Sequence, residues 1–391
     1  MPYLIITLNG ELSETTFSDM AKAELQTWTT TGVGEYFGLS SEGAALVNSK
    51  WGTTTAFTPN DYFDIRDSIR QHLIYPETGF YRMRNVSQSD YYLSYTNALK
   101  TVANDTTSVA SVIGWQRNDD GTYYLTFEGR YIQAPAQSKQ VTSSTTKAVK
   151  FTPEIYTPGQ VCLGANGGYT YLHSDASHKL VGWITNVPAS TWTIRKADYV
   201  TLPLTLKNDT AYGTAYLPFC ATLPEGVKSY IPVLSKDKNS ITLTEGLPYL
   251  IAKQPVVLLA TGNAAAAKIS LPLTQANLGD SVTETVLKGT MLPRTWSKTT
   301  MLGLTESNDT IGFYTVSQQK LAANQCYILK SDLGESLKSG FPLNFNLATG
   351  VRAISTKDDD DTNAPRYNLS GQRVGKDYHG VVIVKGKKII H

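Results

Sequence analysis

The chain has 391 residues, 17% of them charged, and its 35 Lys and Arg against 33 Asp and Glu leave a net charge of +2. A chain of this length divides into about two or three domains. The lack of a dense basic cluster excludes the electrostatic stripe that nucleic acid requires, and no run of about eighteen apolar residues is present to span a membrane as a helix.

Tyr is abundant at 23 copies, with Thr and Ser also frequent. Aromatic and β-branched residues fit pleated, half-buried surfaces, so the composition favours strands. Low charge with many hydroxyls suits an extracellular surface that meets neutral polymers. Cys162, Cys220 and Cys326 are widely spaced and odd in number. They give no metal spacing or disulfide framework and read as small buried thiols.

The start, MPYLIITLNGELSE, has no charged leader, long apolar segment or cleavage site. That leaves a cytoplasmic protein or the C-terminal part of a longer one. Residues 1–76 then read as a helical lead-in or the remnant of an upstream domain. FSDMAKAELQTW and NDYFDIRDSIRQHLIY have helical apolar spacing, with SSEGAALVNSKWG a shorter helix between them. In the second, Tyr62, Ile65, Ile69 and Leu73 share one face, and Asn60 or Asp61 is the expected cap. Pro76 and Gly79 mark the boundary.

Within residues 77–198 a pattern of strand, turn and aromatic anchor occurs three times. The passes are GFYRMRNV, DYYLSY, SVIGWQR; GTYYLTF, GRYIQAP, AVKFTP; and GQVCLGA, YTYLHS, STWTIRKA. The middle strands align Tyr92-Leu93, Tyr131-Ile132 and Tyr171-Leu172 at spacings of 39 and 40, and Trp115, Phe151 and Trp192 close the units. A fixed period of this size signals units that pool one core. The stretch resembles a β-trefoil of the ricin-type and fascin-like kind, although no repeat carries the Gln-any-Trp signature of the lectins. The resemblance implies a sugar-binding or scaffold module.

Residues 199–349 read as a β-sandwich-like domain, with short runs such as YVTLPLTL, AYGTAYLPFCATL, VKSYIPVL and QCYILK between Pro, Gly, Asn and Asp. The prolines suggest edge strands or bulges. The segments TAYLPFCATLPEGVKSYIPV and LAANQCYILK resemble an all-β module of large secreted proteins of Bacteroides and Prevotella, which implies location. Residues 350–366 form an acidic linker whose four consecutive Asp lack the alternation of a calcium loop. The tail, 367–391, reads as two strands around a polar turn and a third strand. From Tyr367 to Lys388 it is similar to the C-terminal sorting tails of secreted Bacteroidota proteins, and that resemblance implies export and contact with secretion or cell-surface machinery.

No nucleophile elbow, phosphate loop or dinucleotide fingerprint is present, and GANGG (164–168) reads as a hairpin turn. His173 and His178 lack a third ligand, so neither a metal nor another cofactor is expected. A glycosidase needs two carboxylates facing across a cleft, whereas Asp90, Asp119, Asp120, Glu128 and Asp175 read mostly as solvated turn acids. Sugar recognition sets an aromatic face beside polar groups that fix hydroxyls. Three sets meet that description: Asp90 with Tyr91 and Tyr95; Glu128 with Arg130 and Gln133; and His173 and Asp175 near Tyr169, with Trp183 in the following loop. Tyr92, Tyr131, Tyr171, Trp115 and Trp192 recur with the repeat and are assigned to the core. The ligand-binding candidates are therefore Asp90, Tyr91, Tyr95, Tyr169, His173, Asp175 and Trp183.

The expected protein is mainly β and non-enzymatic, an exported surface protein that binds a glycan or glycoprotein. Two alternatives stand beside it: a structural or adhesion scaffold without a sugar site, and the C-terminal part of a larger secreted glycan-degrading enzyme.

Overall fold

The computed structural model describes residues 14–51, 58–133, 136–146, 149–165, 170–274 and 283–345, together with 349–350, 366–368, 373–375, 381–384 and 387–390. The N-terminal Met1–Glu11 stretch, GANGG beyond Ala165 and the aspartate run lie outside the described residues.

Three helices lead in: α1 (Glu14–Thr30), α2 (Ser41–Trp51) and α3 (Pro59–Gln71). The α3 cap is Thr58, two or three residues before the expected Asn60 or Asp61. Thr58 and Asp61 bond each other's backbone N–H reciprocally, and Pro59 supplies a preset φ at the first position. Tyr62, Ile65 and Ile69 of the expected face are buried.

Twelve strands follow. They are β1 (Gly79–Asn85), β2 (Tyr91–Tyr95), β3 (Leu99–Ala103), β4 (Ile113–Arg117), β5 (Tyr123–Phe127), β6 (Arg130–Ile132), β7 (Ser143–Ser144), β8 (Phe151–Thr157), β9 (Gln160–Ala165), β10 (Thr170–Ser174), β11 (Leu180–Trp183) and β12 (Thr191–Lys196). Their pairing closes a ring: β1 with β4, β4 with β5, β5 with β8, β8 with β9, β9 with β12, and β12 with β1. The remaining strands form three hairpins, β2–β3, β6–β7 and β10–β11, one from each repeat. Six ring strands capped by three hairpins are the β-trefoil architecture. The fold is mainly β, with the expected helical N-terminal segment.

The ring interior holds Trp115, Phe151 and Trp192, each at most 1% exposed, as the closing anchors require. The middle strands correct the expected phase. Leu93, Ile132 and Leu172 fill the core, whereas Tyr92 and Tyr131 are only half-buried. Side chains alternate across a strand, so a pair such as Tyr92-Leu93 puts only one member inside. The shorter aliphatic residue takes the inner place.

The helices share this core. Phe37 is fully buried at φ +63°, its ring 6.2 Å from Trp115 and 5.8 Å from Tyr75. Its carbonyl accepts the Gly159 N–H from the β8–β9 turn at 3.1 Å. On the other side, Phe80 of β1 packs on Phe219 at 5.3 Å, and Arg82 donates to the Tyr199 carbonyl at 2.9 Å.

From Tyr199 onward the strands build two larger sheets, of six and five strands, and three two-stranded ones. Tyr230, Leu243 and Val257 of the first meet Leu302, Phe313 and Ile328 of the second in one cluster, the packing of a β-sandwich. The AYGTAYLPF run stops as a strand at Ala215, before Pro218. The C-terminal strands Arg366–Asn368, Arg373–Val374, Val381–Val384 and Lys387–Ile390 form a four-stranded antiparallel sheet, one strand more than expected.

Because Phe37 lies against Trp115 and Tyr75, Phe37→Ala is expected to cost about 3–5 kcal/mol. Urea unfolding of the full chain measures this, and a cost under about 1 kcal/mol would show that the helical segment does not support the ring.

Candidate functional site

Alternation along β10 decides what the third hairpin shows to solvent. Leu172 and Ser174 point inward and are buried, while Tyr171 and His173 lie on the opposite face, where Tyr171 is also buried, at 8% exposed, and His173 is half-buried. In register, Tyr171 sits across from Trp183 on β11. The imidazole of His173 stacks on the Trp183 indole, with centroids 5.0 Å apart and planes 22° off parallel. Trp183 therefore ends a strand rather than sitting in a loop, and its ring stays half-buried.

Two residues from elsewhere complete the face. Glu154 on β8 accepts hydrogen bonds from the Tyr171 hydroxyl and, at 2.8 Å, from Asn186 Nδ2. His173 Nδ1 lies 2.9 Å from Ser190 Oγ, and Ser190 gives its single hydroxyl proton to the Thr185 carbonyl at 3.0 Å. Nδ1 must then be the donor, which leaves Nε2 as the ring's acceptor. Burial lowers the His173 pKa from 6.5 while the Asp175 charge opposes the shift, so this neutral tautomer holds at neutral pH.

The first and third expected sets meet at one junction. Tyr91 stacks on His178 at 4.1 Å with planes 2° apart. Gln88 Oε1 accepts from Thr101, Ser174 and His178, and Gln88 Nε2 donates to the Asp175 carbonyl. Asp175 itself closes its turn, accepting the Ser177 and Lys179 N–H groups at 2.8 and 2.9 Å. Asp90 is exposed in a turn, where its carbonyl accepts the Asn104 N–H. Tyr95 stacks on Phe127 at 4.7 Å and packs against the core, so its ring is not presented. Tyr169 lies outside the described residues.

The second set does not assemble. Arg130 binds Ser143, and the Gln133 amide donates to the Tyr131 carbonyl. Glu128, expected in a solvated turn, is 7% exposed with neither carboxylate oxygen hydrogen-bonded. Its turn has φ +48° at Glu128 and +74° at Gly129, and Gly129 packs near the Lys253 side chain of the following strands. Desolvation raises the Glu128 carboxyl to about 8. Asp120 behaves as a solvated turn acid should, held near 2 by hydrogen bonds from Lys150 and Thr122.

The hairpins are not equivalent. The position across from Tyr171 is Trp183, whereas Tyr92 faces Val102 and Tyr131 faces Ser144. Where the third hairpin has His173, the first has a buried Ser94 bonded to Asp105. Sequence reasoning missed Glu154, Asn186, Ser190 and Gln88. A signal did exist for Glu154, an acid within a strand run, FTPEIYT, rather than in a turn. All three cysteines are buried free thiols, and burial pushes Cys162 up to about 11.

Neither a protein-family model nor a curated protein matches the chain. Among solved structures it is similar to SeviL bound to asialo-GM1 saccharide, at 18% identity over 31% of this chain and 98% of that one, TM-score 0.28. It is also similar to the Macrolepiota procera ricin B-like lectin in complex with lactose, at 11% identity over 31% and 97%, TM-score 0.28. A mosquitocidal holotoxin aligns at 10% identity over 70% and 45%, TM-score 0.29. At these scores the likenesses carry no argument about what this chain binds.

The buried Glu128 sets a pH dependence of stability. Its folded pKa, about 8, lies above the ordinary 4.5, so between these values the folded state holds a proton that the unfolded state has lost. Stability therefore falls as pH rises through that window. Glu128→Gln keeps the shape of the protonated acid and removes the dependence. The variant is expected to gain on the wild type from pH 5 to pH 8, by about 3–4 kcal/mol over that range. Parallel urea curves across that range would contradict this assignment.

Proposed function

We propose that the β10–β11 face binds carbohydrate without catalysis, as part of a protein presented at a cell surface. The observation that carries the reading is the half-buried Trp183, braced by His173 on the same face as the fixed carboxylate of Glu154. A sugar ring packs its apolar side on such an indole, while oriented polar groups take its hydroxyls. Glu154, His173 Nε2 and Asn186 supply those groups, each held in place before a ligand arrives. Preorganisation of this kind lowers the entropic cost of binding.

A non-catalytic role is supported by how the acids of the ring are engaged. Asp120 pairs with Lys150, Asp175 closes its turn and Glu128 is enclosed by protein. The surface location, and contact with export machinery, rest on the resemblance of Tyr367–Lys388 to sorting tails. A scaffold without a sugar site is the second reading. It draws support from the same Glu154 bonds, which tie the loop at Asn186 to β8 and would serve packing alone.

Binding of the full chain to immobilised glycans, followed by calorimetry on the best oligosaccharide, tests the proposal. Trp183→Ala is expected to weaken binding by at least about tenfold, as loss of an aromatic anchor does. Affinity should hold across neutral pH and fall only in acid, as protonation turns Nε2 from acceptor to donor. His173→Gln should flatten that profile. Unchanged affinity in Trp183→Ala would move the site elsewhere, and a folded protein that binds no glycan would favour the scaffold.

A further inference from the structure

The hydrogen bonds already made at the third hairpin determine what its ligand must offer. The Tyr171 hydroxyl is donated to Glu154, the Ser190 hydroxyl to Thr185, and His173 Nδ1–H to Ser190. One N–H of Asn186 is also given to Glu154. What remains open is mostly acceptor: the other lone pairs of Glu154, Nε2 of His173 and the Asn186 carbonyl. Among the described residues the donors left are the second N–H of Asn186 and the Trp183 indole.

Charge points the same way. Glu154 is held by two neutral donors, and among the described residues no Lys, Arg or His forms an ion pair with it. His173 is neutral, and the nearby Asp175 adds negative charge. Two lysines lie at the hairpin, Lys179 in its turn, where its carbonyl accepts the Asp175 N–H, and Lys139 beside β11, where its carbonyl accepts the Gly182 N–H. Among the described residues neither lysine forms an ion pair with Glu154. An incoming carboxylate or sulfate would therefore meet a fixed, uncompensated carboxylate, whereas an ammonium would find its counter-charge there.

We infer that the site takes a donor-rich sugar, either a neutral hexose or preferably a hexosamine with a free amino group, and rejects glycans carrying an acidic group at the bound residue. The inference rests on the carbohydrate reading of this face. Hydroxyl-only ligands pair with the open acceptors, and the free amine adds an ionic contact to Glu154. Partial exposure of Glu154 limits the gain from that contact, so it should diminish as salt is raised.

Three oligomers of matched length serve as probes for the full chain: oligoglucosamine, its fully N-acetylated form, and oligogalacturonate. Calorimetry at low and high salt is run on wild type, Glu154→Gln and Trp183→Ala. The amino oligomer should bind about tenfold tighter than the acetylated one at low salt, equivalent to about 1.4 kcal/mol, and the acidic oligomer weakest of the three. Glu154→Gln should compress the ratio between amino and acidic probes toward one, whatever its absolute affinities. Lys139→Ala should leave that ratio's order unchanged. The acidic oligomer binding as well as the acetylated one, or a ratio insensitive to Glu154→Gln, overturns the charge selection while leaving sugar binding intact. Amino binding that survives Trp183→Ala at full strength shows ion exchange at a surface carboxylate and overturns the inference as well. Binding of none of the three, with none on the wider glycan panel, sinks the carbohydrate reading itself.

Discussion

Everything in the N-terminal half depends on one long-range closure, the antiparallel pairing of β1 with β12. Asn85 meets Trp192 and Tyr81 meets Lys196, so the first and last strands of the repeat region share a ladder. Bringing such distant segments together has an entropic cost that grows slowly with loop length. The enclosed side chains offset it. Trp115, Phe151 and Trp192 come from three different repeats and lie within one apolar cluster, which no single unit could enclose. Closure also removes the unpaired edges that a six-stranded sheet would otherwise expose.

The same cluster reaches beyond the ring. Leu25, Trp28, Phe37, Val47 and Ile69 of the helical segment belong to it. The helices thus cover an apolar opening that would otherwise be wet. Across the ring, Val109 and Val112 belong instead to the cluster of the later strands, with Phe80 packed against it. The ring is therefore gripped from two sides through apolar contacts, with Arg82 reaching from β1 to the Tyr199 carbonyl between them. The third hairpin is thus built on a ring packed against both neighbouring clusters.

How much of this was legible in the sequence depends on distance along the chain. The period near forty is visible because each repeat places an anchor at the same local position, and the helical faces are visible because their spacing is local. Tyr92, Tyr131 and Tyr171 stood out through size and recurrence; Tyr171 is buried, yet Tyr92 and Tyr131 are only half-buried and the inner places of the three strands went to Leu93, Ile132 and Leu172. A two-residue alternation read one position out of phase turns a core residue into a surface one. At the site, His173 and Trp183 were legible because one hairpin holds both. Glu154 was not, since it arrives from the preceding repeat, 17 residues before Tyr171. Glu128 misled for a similar reason: its turn has the composition of an exposed one, and packing near Lys253 cannot be read locally.

The inequality of the three hairpins bears on valency. Val102 and Ser144 stand where the third hairpin has Trp183, so among the described residues the Trp platform at this position occurs in one of the three hairpins. If this face binds sugar as proposed, each copy offers one such platform and does not by itself cross-link two sugar chains through equivalent hairpins. Its grip on a surface of repeated sugars would come from many copies displayed side by side, where effective concentration rather than individual affinity sets the strength of attachment.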